Sequence, residues 1–147
     1  MTRTLLLACL LLGATPAEAD SLLLKPARVF DGTQVHQGWS VLVEGDRISA
    51  AGPDVSGPAT ARVIELPGAT LIPGLIEGHS HLFLHPYDEA LWDDQVLHEP
   101  LALRTARAVV QAERTLDAGF TTERDLGTEG AGFADAGLRE AIDKGIV

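Results

Sequence analysis

From Leu71 the chain reads Leu-Ile-Pro-Gly-Leu-Ile-Glu-Gly-His-Ser-His-Leu, an apolar run that ends in two histidines one residue apart. Leu75 and Ile76 are adjacent, so their side chains take opposite faces of a strand. A strand apolar on both faces belongs inside a parallel sheet. Parallel strands need a crossover of a dozen or more residues, usually a helix. The chain supplies one: Pro100 stands at a helix N1 position, and Leu103, Ala106, Val109, Val110 and Leu116 mark an apolar face to about Ala118. Gly119 follows as the C′ residue before a second strand. Gly127, Gly130 and Gly132 then mark a turn, and Ala134 to Lys144 reads as a second helix capped by Gly145.

His79 and His81 fall on one face of their strand, and Ser80 falls on the other. Two neutral imidazoles side by side at a strand end can share one divalent cation. Gly78 is expected to leave room for the backbone beside the first histidine. The plainer reading is a pair of hydrogen-bonded histidines near a sheet edge.

The string through His81 resembles the first barrel strand of the metal-dependent amidohydrolase superfamily, in which Pro-Gly, two apolar residues and an acid precede a His-x-His pair. Ala118-Gly119-Phe120-Thr121-Thr122-Glu123-Arg124-Asp125-Leu126-Gly127 resembles that family's second strand. The run from His81 to Glu89 and the string Arg124 to Gly132 are similar to the branch of imidazolonepropionase-like amidohydrolases and Xaa-Pro dipeptidases. The resemblance implies an α/β protein: the start of a (β/α)₈ TIM-type barrel preceded by a small β-sandwich segment, with the barrel incomplete. It implies that His79 and His81 bind the more buried of one or two divalent ions, zinc first among the candidates. The implied activity is hydrolysis of carbon–nitrogen bonds (amide, cyclic amide or dipeptide) in small molecules by metal-activated water. The remaining ligands and the general base are expected downstream of Val147, so the chain itself contributes no acid–base catalyst. Glu123 stands where the family commonly has an apolar residue; under the alternation it faces outward, or else the strand-two register differs from this reading.

Residues 1–19 read as a signal peptide, with Arg3 as the positive n-region, an apolar run from Leu5 to Leu12, and an Ala17-Glu18-Ala19 cleavage site. The apolar run is too short to span a bilayer core of about 30 Å. The expected product is exported, periplasmic or secreted, and free of the membrane after cleavage. Cleavage also removes Cys9, the single cysteine, leaving no disulfide. A formal net charge of −10 argues against nucleic acid as a partner. A small-molecule substrate is expected instead, and homo-oligomerisation stays open for the full-length protein.

Residues 20–69 read as strands and turns, the N-terminal part of the sandwich. Leu22-Leu23-Leu24 and Val29-Phe30 are short apolar runs, and Asp31-Gly32-Thr33 has turn chemistry. Val41 to Ala50 reads as a hairpin with its tip at Glu44-Gly45-Asp46, and Arg62 to Leu66 as a further strand. Residues 70–147 hold the first two β/α units. A barrel takes roughly 250 residues against the 147 present, so the chain reads as the N-terminal portion of a longer protein. Alternatively, it is an inactive truncated product, or a scaffold or subunit that needs a complementary half.

In the loop from Phe83 to His98, His85 and Tyr87 are candidate substrate-binding residues, set against a surface histidine and a tyrosine packed on the rim. Asp88, Glu89, Asp93 and Asp94 read as solvated acids, His98 as the start of a helix, and Arg124-Asp125 as a structural ion pair.

Overall fold

A computed structural model describes residues 20–147; the leader read over residues 1–19 lies outside them. The chain divides between Ile72 and Pro73 into two compact units.

The first unit is one mixed five-stranded sheet. Strand β1 (Ser21–Phe30) pairs in parallel with β5 (Arg62–Leu71), and antiparallel with β3 (Ser40–Glu44) and then β2 (Val35–Gln37). Strand β4 (Arg47–Gly52) extends the sheet beyond β3. Leu22 to Phe30 is therefore one strand and not two short runs. Pro26 is tolerated because pairing with β3 ends at Leu24, pairing with β2 begins at Arg28, and the β5 register shifts between Pro26 and Arg28. The expected hairpin is present, with Glu44 opposite Arg47 and Gly45 at φ 60° as the first of two turn residues. Leu23, Val29, Val41 and Leu42 are buried in this unit, which holds this single sheet among the described residues. Strand β2 was not foreseen. Asp31 builds its turn: Oδ1 accepts from Thr33 N, Thr33 Oγ1 and Gln34 N at 2.8, 2.6 and 2.8 Å, and Oδ2 lies 2.7 Å from His36 Nε2. Thr70 and Leu71 also stay with this sheet, opposite Arg28 and Val29, so the break falls just after the expected boundary at residue 69. Arg28 secures the strand end, donating to Thr70 Oγ1 at 2.8 Å and to the Gly68 carbonyl at 3.1 Å.

The second unit runs β6 (Leu75–Ser80), a short π-turn (Asp94–His98), α1 (Leu101–Asp117), β7 (Phe120–Asp125) and α2 (Ala134–Asp143). Strands β6 and β7 are parallel, as the crossover requires. Gly74 lets the chain enter β6 close to its neighbour, since a Cβ there would collide with the Thr121 side chain. At Gly78 a Cβ would meet nothing within 4 Å, so the room expected beside His79 is not what that glycine provides.

Phe83, Ala108, Ala131 and Leu138 form the core, flanked by Leu82, Val109, Ala112 and Ala134. Two expectations fail here. Leu75 and Ile76 are 40% and 71% exposed, because a two-stranded sheet covers only part of its surface. On α1 the buried residues are Arg104 and Ala108, whereas Leu103, Val110 and Leu116 are exposed; of the face that hydropathy marks, Val109 is the residue that packs on the core. Pro100 is the N-cap with extended backbone, one position before its expected place, and Gly119 closes the helix at φ 97° as expected.

Candidate functional site

The carboxyl ends of β6 and β7 lie side by side, with Ser80 opposite Asp125, and both following loops leave from this end. The imidazoles of His79 and His81 stand together there, centroids 5.4 Å apart and planes inclined by 65°. Ser80 points the other way and donates its hydroxyl to Glu123 Oε1, so Glu123 is held on the outer face as the alternation requires.

His81 is oriented by the second loop. Its Nδ1 lies 2.7 Å from the Gly127 carbonyl oxygen. A carbonyl only accepts, so Nδ1 carries the hydrogen and Nε2 holds the lone pair of the neutral ring. Metal-binding histidines are typically set in this way, with the distal nitrogen offered to the ion. Asp125 braces both sides of the contact: its carboxylate accepts from Leu82 N at 3.3 Å and from Gly127 N at 2.8 Å. It does not form the expected ion pair with Arg124, because adjacent strand residues face opposite ways. Two imidazoles at one strand end, one with its distal nitrogen left as an acceptor, are donors of the kind a divalent ion takes. The donor set therefore fits half of a divalent metal site. Among the described residues, no set of three or more His, Cys, Asp or Glu side chains converges on one metal position.

A cavity of about 350 Å³ beside the pair is lined by His81, Leu84, His85, Pro86, Tyr87 and Gln111. The structure thus brings His85 and Tyr87 to the same hollow as His81. Tyr87 is 60% exposed. The His85 ring is bridged between Glu89 Oε2, 3.3 Å from Nδ1, and Glu99 Oε1, 3.7 Å from Nε2. Arg107 grips Glu99 with two bonds of 2.7 and 2.8 Å, and this holds the Glu99 carboxyl below its usual range. Asp94 pairs with His98 at the end of the π-turn, not at the start of α1.

Three residues at this end escaped the sequence reading. Gln95 is fully buried, accepts from His85 N, and donates to the carbonyls of Ala90 and His85 at 2.8 and 3.3 Å. Arg104 is 2% exposed and donates to three carbonyls: Phe83 in the first loop at 3.1 Å, and Thr128 and Glu129 in the second at 2.6 and 2.9 Å. Burial lowers its pKa. Glu129 carries a φ of 50° and accepts from the Trp92 indole at 2.6 Å. A glutamate among glycines after a strand was the only sequence signal for it.

Comparison with known proteins bears on this arrangement. No family model matches the chain. Imidazolonepropionase of Streptomyces griseus is 26% identical over 104 residues, which cover 71% of this chain and 25% of that protein. Dihydroorotase of Geobacter sulfurreducens is 38% identical over 63 residues, 42% of this chain and 15% of that protein. Among solved structures, a Xaa-Pro dipeptidase with methionine bound in its active site matches with a TM-score of 0.72 at 26% identity, covering 87% of this chain and 31% of its own. A second, an amidohydrolase, gives 0.70 at 29% identity over 86% and 29%. The chain thus spans about a quarter of the length of the imidazolonepropionase. Over most of its length the chain is thus similar to members of the amidohydrolase superfamily.

Proposed function

We propose that these residues are the N-terminal portion of a metal-dependent hydrolase that cleaves carbon–nitrogen bonds in small molecules, with β6-α1-β7-α2 as the first two β/α units of an eight-stranded barrel. The observation that carries this is the His79–His81 pair at the carboxyl end of β6, with Nε2 of His81 left as an acceptor by the bond to Gly127. Barrel enzymes place their sites at that end. The relatives named above are hydrolases of carbon–nitrogen bonds, which supports the reaction class.

When bound, a divalent ion, zinc first among candidates, supplies a Lewis acid and lowers the pKa of its water toward about 7. His79 and His81 hold the ion and transfer no proton. Asp125 and the Gly127 carbonyl fix the His81 ring, and His85 and Tyr87 border the hollow where a dipeptide, amide or cyclic amide would lie. The general base belongs to residues beyond Val147. The leader would direct the product out of the cytoplasm.

The test uses the full-length protein with a panel of dipeptides, N-acyl amino acids and cyclic amides. Hydrolysis that disappears in His79→Asn and His81→Asn, together with bound metal, supports the reading. Wild-type turnover retained by both variants overturns it. A second reading, that these residues act only with a complementary half, is favoured by the exposure of Ile76, Leu116 and Phe133, at 71%, 60% and 91%.

A further inference from the structure

From Leu84 to Pro86, the chain that walls the hollow beside His81 has every backbone polar group engaged. Leu84 N donates to the His81 carbonyl at 3.0 Å, and the Leu84 carbonyl accepts from Gln111 Nε2 at 3.1 Å. His85 gives its N–H to Gln95 Oε1, and its carbonyl accepts from Gln95 Nε2 at 3.3 Å. Pro86 has no N–H, and its carbonyl accepts from Glu89 N and Ala90 N at 2.9 and 3.2 Å. The ring of His85 is committed as well. A carboxylate oxygen stands against each nitrogen: Glu89 at Nδ1, and Glu99, itself gripped by Arg107, at Nε2. Besides His81, the Tyr87 hydroxyl and the Gln111 side-chain oxygen are the side-chain polar atoms this lining leaves open among the described residues. Groups already bonded to one another offer little to a polar ligand, whereas Leu84, Pro86 and the Tyr87 ring offer apolar contact. The cavity of about 350 Å³ lies at the lower end of the roughly 300–1,000 Å³ of small-molecule sites, room for one residue-sized group.

We propose that this hollow is an apolar side-chain subsite, which receives the side chain of the substrate residue next to the bond that is cleaved. Gln95, Glu89 and Glu99 make it so by turning the polar atoms of His85 to themselves. This rests on the carbon–nitrogen hydrolase reading above and narrows its substrates to derivatives of apolar amino acids. A polar side chain placed there would give up its water with few partners in exchange. Glu89, whose side chain is 63% exposed, is outside the lining and acts as a positioning residue for the His85 ring.

The experiment titrates free leucine and free asparagine into the full-length protein in a calorimeter. Their side chains share one branched shape and differ in polarity, and neither compound has a bond to cleave. Leucine is expected to bind at least about tenfold more tightly than asparagine, and Tyr87→Ala to weaken leucine by about fivefold or more. Glu89→Ala frees His85 Nδ1 for a ligand, so the preference should fall to about threefold or less, whereas Glu89→Gln keeps an acceptor and the preference. Melting should stay unchanged in both, because an exposed pair contributes little to stability. A wild-type preference below about twofold, or no leucine binding, overturns the proposal while the hydrolase reading stands on its own substrate panel. An undiminished preference in Glu89→Ala overturns the role given to the commitments of His85. Selective leucine binding by a protein that hydrolyses nothing in the panel overturns the hydrolase reading and leaves the subsite in place.

Discussion

Replacing Arg104 by methionine tests whether a buried cation ties the two loops of the site together. The guanidinium is 2% exposed and satisfies the carbonyls of Phe83, Thr128 and Glu129 at 3.1, 2.6 and 2.9 Å. Methionine keeps most of the stem and none of the donors. Each hydrogen bond from a charged donor contributes about 1.5–3 kcal/mol, so three set an upper bound of about 4.5–9 kcal/mol. Against this stands the cost of keeping the guanidinium out of water, several kcal/mol for a buried ion, which also lowers its pKa. The expected net loss is about 3 kcal/mol, or roughly 12–24 °C in Tm for a unit of this size. Urea and thermal unfolding followed by circular dichroism would measure it. Lys144→Met serves as control: its exposed partner Glu140 makes an i,i+4 surface pair worth no more than about 0.5 kcal/mol. A loss in Arg104→Met below about 1 kcal/mol, well short of the three-bond estimate, would show that the loops hold together without the clamp.

Gly74→Ala should destabilise the second unit by about 1–3 kcal/mol through the clash with Thr121, with part of the loss recovered in Gly74→Ala/Thr121→Ala, while Gly78→Ala stays near neutral in the same urea titrations. Asp31 has its carboxyl held well below the usual range, first by the Thr33 hydroxyl, so the ionised form is favoured on folding. Its contribution is present above an unfolded-state pKa of about 4 and fades as pH falls through the folded value. The urea midpoint of wild type should therefore drop more steeply between pH 5 and pH 3 than that of Asp31→Ala, both pH values bracketing about 4; parallel profiles would refute the assignment. In Asp125→Asn one oxygen remains to accept, so one of the N–H groups of Leu82 and Gly127 meets an amide NH2; Zn²⁺ affinity should fall about tenfold, read calorimetrically, with a modest loss in melting temperature.

What could be read from residues alone was what depends on local rules. The hairpin at Glu44-Gly45-Asp46 follows from turn chemistry, the parallel β6–β7 pair from the crossover, and the shared face of His79 and His81 from the strand period. The misreadings arise where a polar group does an apolar group's job. Arg104 fills the centre of the buried side of α1 because three loop carbonyls satisfy its guanidinium, and no hydropathy pattern registers that. Leu103, Val110 and Leu116 read as the inner face by hydropathy for the same reason, yet are exposed. Gln95 likewise depends on loop backbone groups five and ten residues away, and Glu129 on the Trp92 and Arg104 side chains. Pro26 made one strand look like two, because its tolerance depends on where the neighbouring strands stop.

The order of strands in the first unit also has a kinetic consequence. β1 is made first and needs partners on both edges, yet its longest neighbour, β5, follows the whole β3–β4 hairpin, with Leu22 meeting Arg62. The hairpin can close within about 1–10 μs, whereas a parallel partner so far along the chain must first overcome the entropy of a long loop. Until Leu71 is available, one edge of the Leu22-Leu23-Leu24 stretch therefore waits unpaired. Lys25 and Pro26 directly follow that stretch, a charge and a missing N–H of the kind that keeps a waiting edge from recruiting another copy of itself. The residue that interrupts the strand in the finished sheet thereby guards it during assembly.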